Sequence, residues 1–145
     1  PTDVRARRAE DEHAMEVVAR HNGYDRSFGI IHERRITMSS DGLRCEGEDK
    51  LVATERRVPG AGQADYALRF HLHPSVRVEM AEGGAAVILT LPDDARWLFR
   101  ASGLPIAIEE SIFLGGREGP RQTDQLVVAA KVRENPALVW TLERV

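Results

Sequence analysis

The side chains in this chain that could move a proton or grip an anion concentrate in one run, His21–Arg35, HNGYDRSFGIIHERR. It carries His21 and His32, two of the five histidines, with Tyr24, Arg26, Arg34 and Arg35. Imidazole titrates near neutrality, and guanidinium meets a carboxylate with paired N–H donors. A second candidate is His71 with His73, in YALRFHLH (66–73). On a strand, residues i and i+2 share a face, so both rings could reach one metal or one anionic group. Metal ligation, contact with a glycan or carboxylate, and a structural hydrogen-bonded role all remain open for this pair. No third ligand accompanies it, so neither a metal nor any other cofactor is expected.

These residues need elements to position them. Asn22-Gly23 supplies positive φ angles at low cost, so a reversal is expected between His21 and Asp25, with Tyr24 near a strand end. Beyond Phe28, Ile30, Ile36 and Met38 alternate with Glu33, Arg35, Thr37 and Ser39, the two-residue period of a strand. Parity puts His32 and Arg34 on the apolar face. Inward charge is costly unless paired, so the two either brace a buried polar network or line a cleft. Residues 39–42, SSDG, form a turn, after which Leu43, Cys45, Gly47, Asp49 and Leu51 alternate with Arg44, Glu46, Glu48 and Lys50. A hairpin over 30–51 follows.

Downstream, Tyr66, Leu68, Phe70 and Leu72 oppose Arg69, His71 and His73. Turn signals at Glu82-Gly83-Gly84 and Pro92-Asp93-Asp94 then separate short alternating runs in a meander. Ile106, Ile108, Glu110, Ile112 and Leu114 share one parity, which predicts Glu110 inward, with a raised pKa unless Arg34 or His32 meets it. Residues 58–63 are expected to be a flexible surface loop and 115–120 a hairpin connection, whose glycines lack the strand-to-helix setting of a phosphate cradle. Trp97 and Trp140 fall on apolar parities and are expected in the core. Residues 5–20 fit a helix on the propensity of Ala, Glu and Arg. Roughly ten or eleven short strands, turns about every ten residues and little or no helix predict an all-β antiparallel β-sandwich, with a closed barrel as the alternative.

Composition bounds the function. The chain has 145 residues and a net charge of −3, a single domain over 1–145 with an ordinary surface and no basic excess for nucleic acid. Cys45 is the one cysteine, so no internal disulfide forms. No apolar run reaches the length of a membrane span. The chain starts with Pro1, and we read it as the C-terminal piece of a longer chain.

HNGYDRSFGIIHERR, followed by SSDGLRCEGEDKL, RFHLHPSV, EESIFLG and PRQTDQLVV, resembles the C-terminal β-sheet region of bacterial heparinase II/III-like proteins, a polysaccharide lyase superfamily. The resemblance runs from His21 to Trp140 and rests on the order and spacing of these segments. It implies strands for residues 5–20 and, upstream, a helical domain that supplies the catalytic tyrosine with an asparagine or histidine. RFHLHPSV departs from the family's H-x-H-x-D pattern at Pro74 and Ser75, so no catalytic residue is carried over. The resemblance implies β-elimination of an acidic, uronate-containing polysaccharide, with this chain inactive alone and Tyr24, Arg26, His32, Arg34, His71 and His73 at the substrate cleft. The compartment, periplasm or cytoplasm of a bacterium, is left open. The alternative is a non-catalytic carbohydrate-binding or interaction module.

Overall fold

A computed structural model describes residues 1–60, 63–116 and 119–145. Among them lie eleven strands: β1 (Val4–Glu10), β2 (Ala14–His21), β3 (Ile30–Ser39), β4 (Arg44–Ala53), β5 (Asp65–His71), β6 (Arg77–Ala81), β7 (Ala86–Thr90), β8 (Arg96–Ala101), β9 (Ala107–Phe113), β10 (Arg121–Lys131) and β11 (Ala137–Arg144). They form two antiparallel sheets, an all-β sandwich. Helical turns include α1 (Asp25–Phe28) and a 3₁₀ turn at Glu82–Gly84. Residues 5–20 become two strands: in isolation their Ala, Glu and Arg favour a helix, but pairing of β1 with β2 and β2 with β3 satisfies the backbone instead.

The chain divides into two compact units, Pro1–Tyr66 with Ala130–Thr141, and Ala67–Ala129 with Leu142–Val145. In the first, β1, β2, β3 and β4 lie in sequence order with β11 beside β4. Their register defines two faces. One carries the charged rows Arg5–Arg20–Glu33–Lys50 and Arg7–Val18–Arg35–Glu48. The other carries Val4–His21–His32–Leu51, Ala6–Ala19–Arg34–Asp49, Arg8–Val17–Ile36–Gly47 and Glu10–Met15–Met38–Cys45. The second face is buried at Cys45, Gly47 and Asp49 on β4 and only half-buried at Met15, Val17, Ala19, Ile36 and Met38. An apolar strip therefore stays partly open on β2 and β3.

Between β2 and β3 the chain reverses less tightly than an Asn-Gly hairpin. It passes through α1, and Gly29 (φ 63°), not Gly23, takes the left-handed conformation. Asn22 serves another purpose: its Oδ1 accepts the amides of Thr2 and Asp3 at 2.9 and 3.0 Å, fastening the start of the chain.

Cys45 is buried, and burial pushes its thiol pKa up. In the native protein it should react with an aromatic disulfide reagent at least ~100-fold more slowly than after urea unfolding. A stopped-flow thiol assay reads this directly, and equal rates would mean that β4 opens readily.

In the second unit, β6, β7 and β8 form a meander, and β10 lies between β5 and β9. Leu68, Val87, Leu89, Phe99, Leu126 and Val128 are buried there. The expectation for Glu110 fails. Its parity on β9 leads to solvent: β9 is the outer strand of its sheet, Ile112 is 65% exposed and Glu110 is exposed too. The flexibility expected of 58–63 and the connection expected at 115–120 fall partly on residues 61–62 and 117–118, which lie outside the described residues.

Candidate functional site: a buried carboxylate with two histidines

Asp49 is the centre of the first unit's polar chemistry, with a side chain 1% exposed. Antiparallel register sets Asp49 opposite Arg34 and, one row along, His32 opposite His21. Asp49 Oδ1 accepts from His32 Nε2 at 2.6 Å and from Arg34 Nε at 2.7 Å; Oδ2 accepts the indole N–H of Trp140 at 3.0 Å. Burial alone would push this carboxyl's pKa up. The three hydrogen bonds and the Arg34 charge outweigh that and hold it below the ordinary value, so the carboxylate stays ionised. Its charge, after burial, also contributes to raising the pKa of Tyr66, whose hydroxyl donates to the Asn135 carbonyl at 2.6 Å.

Gly47 makes the indole contact possible. A Cβ on Gly47 would stand 2.0 Å from two ring carbons of Trp140, so the ring lies against bare backbone of β4. A side chain there would push Trp140 off Asp49.

His32 uses both ring nitrogens, since Nδ1 lies 3.2 Å from His21 Nε2. His21 Nδ1 in turn accepts the Gly23 amide at 3.1 Å. Tyr24 packs against this pair, with ring centroids 5.3 Å from His21 and 6.4 Å from His32, and is itself 47% exposed. The structure thus brings His32 and Arg34 together on Asp49, with Tyr24 against His32. Arg26 is exposed on α1 and lines a cleft of about 420 Å³ with Asn22, Gly23, Asp25 and Arg56.

His71 and His73 belong to the second unit. The strand ends at His71, whose Nδ1 lies 2.8 Å from Ser111 Oγ across the central strand β10; His73, beyond the strand end, lies 2.7 Å from Ser75 Oγ and packs against Phe113. Each histidine thus has its own neighbour, Ser111 or Phe113, two residues apart on β9.

Reasoning from sequence missed Asp49, His21 and Trp140 as members of one site. Asp49 carried a legible signal, as the one charged residue in the parity set Leu43, Cys45, Gly47, Asp49, Leu51. The pairing of His21 with His32 depends on the length of the intervening turn, which no local pattern specifies.

A family model described as heparinase II/III-like, C-terminal, matches residues 1–141. FtsZ-localized protein C from Caulobacter vibrioides is 28% identical over 134 residues, covering 90% of this chain and 23% of that protein. Among solved structures, heparan sulfate lyase HepC from Pedobacter heparinus matches with a TM-score of 0.75 at 10% identity, covering 99% of this chain and 22% of that one. A heparinase III structure matches with a TM-score of 0.73 at 12% identity, covering 98% and 21%. At these identities the structural likeness establishes the fold, and the chain spans less than a quarter of each of these three proteins.

Proposed function

Because this chain belongs to the heparinase II/III-like, C-terminal family, we propose that it is the sheet domain of a polysaccharide-lyase-type protein, inactive alone, working beside an upstream helical domain that carries the elimination chemistry. One observation carries the inactivity: the best-placed acid–base group, His32, has both ring nitrogens engaged, on Asp49 and on His21. β-Elimination from a uronate needs a group to neutralise the carboxylate, a base for the α-proton and an acid for the leaving oxygen. In this cluster the histidine that could serve as base or acid is already committed to Asp49 and His21. In our reading the domain contributes contacts: the exposed Tyr24 and Arg26, backed by His32 and Arg34, and in the second unit the exposed His71 and His73. The half-open strip of Met15, Val17, Ala19, Ile36 and Met38 supports a packing role, because it is the kind of apolar surface a neighbouring domain covers.

The test pairs an absorbance assay for unsaturated uronate with affinity electrophoresis in acidic polysaccharide. The chain alone should release no product yet be retarded, and Arg26→Ala should weaken retention about three- to tenfold at low salt. Product from the chain alone would overturn the inactivity; unretarded migration would overturn the contact role.

A second reading, a non-catalytic carbohydrate-binding or interaction module, is favoured by the relative in Caulobacter vibrioides, which is named for localisation with FtsZ. It gains ground if the full-length protein also yields no unsaturated uronate from any acidic polysaccharide tried.

A further inference from the structure

We propose that His21 and His32 form a proton-sensitive latch on the turn that carries Tyr24. The Gly23 amide donates to His21 Nδ1, so that nitrogen is an acceptor and the neutral ring carries its hydrogen on Nε2. That hydrogen points at His32 Nδ1, 3.2 Å away, which must accept; His32 then carries its hydrogen on Nε2, where it donates to Asp49 Oδ1. Three contacts hold one hydrogen each, and the arrangement admits one pair of tautomers.

A further proton has no place in it. On His21 it sits at Nδ1, facing the Gly23 N–H. On His32 it sits at Nδ1, facing the His21 Nε2–H; shifting that hydrogen to His21 Nδ1 only returns the conflict to Gly23. Either way the Gly23 contact breaks and the His21 ring must turn out.

The surrounding charges do not rescue the closed form. β4 presents Asp49, already bound by Arg34 of β3 and by Trp140 of β11. The turn presents the phenol of Tyr24. Burial first, then His32, depress the His21 pKa, in keeping with a closed turn that rejects the proton. The sign follows: at pH well above 6.5, the ordinary histidine value, the latch is closed, and its stability falls as the pH drops below that value, because the open turn takes up a proton that the closed one refuses. The opening moves Tyr24 and loosens the hold of neighbouring Asn22 on Thr2 and Asp3.

The test is ¹⁵N NMR of the 145-residue chain from pH 8 to pH 5, following both imidazoles, the Gly23 amide and the Tyr24 ring. At pH 8 both histidines should show the Nε2–H tautomer. As His21 titrates, exchange of the Gly23 amide should accelerate about tenfold or more beyond the intrinsic pH effect, with the Tyr24 ring signals shifting at the same midpoint. In His21→Gln, which keeps a donor towards His32 and cannot titrate at position 21, the part of the Tyr24 shift that follows the His21 midpoint should vanish. A Gly23 amide equally protected on both sides of the His21 midpoint, or an Nδ1–H tautomer at either ring at pH 8, overturns the latch on the unsubstituted chain alone.

Discussion

Asp49→Asn should lower stability by about 3–5 kcal/mol, because it removes the one buried negative charge that Arg34, His32 and Trp140 all address. An amide can accept a hydrogen bond in place of Oδ1 or Oδ2 but cannot balance a guanidinium, and its NH₂ would face a donor. Urea unfolding followed by Trp fluorescence measures the loss; a shift below about 1 kcal/mol would mean that water already screens the cluster. The pH dependence supplies a second signature. The native pKa of Asp49 is depressed below the ordinary 3.8, so its stabilisation is fully present above that value and is lost as pH falls through the native one. The unsubstituted chain should therefore converge on Asp49→Asn in strong acid and diverge from it towards neutrality.

Gly47→Ala should cost about 3 kcal/mol, against the half to one kcal/mol that alanine ordinarily gains over glycine inside a strand. The sign of the effect is the informative part. With a Cβ 2.0 Å from the indole, either β4 bends or Trp140 leaves, and if Trp140 leaves, Asp49 Oδ2 loses its donor in the same step. Trp140→Leu should be costly too, by about 3 kcal/mol, for the lost aromatic packing and the unpaired Oδ2. Adding Gly47→Ala to Trp140→Leu should then cost little, because the clash has gone with the ring. Additive losses in the double variant would show that Gly47 matters for the backbone of β4 and not for the indole.

Much of this architecture was legible in the chain's alternation. The 30–51 hairpin, the meander after Val76, the placing of Trp140 in the core and the inward parity of His32 and Arg34 all follow from a two-residue period between turn signals, and the structure bears them out. For those two residues the network reading describes what the structure contains: a histidine and an arginine braced on a buried acid. Parity failed at Glu110, because alternation names a face without saying whether anything covers it, and β9 lies at the edge of its sheet. What the sequence could not contain was the choice of partner. Asp49 lies 15 residues from Arg34 and 91 from Trp140, and only the β3–β4 register and the placing of β11 beside β4 bring the three together. Local pattern determines which side of a strand a residue occupies, because side-chain direction is a property of the backbone itself; which charge it meets there is decided by pairing between strands distant in sequence, and so by the tertiary structure alone.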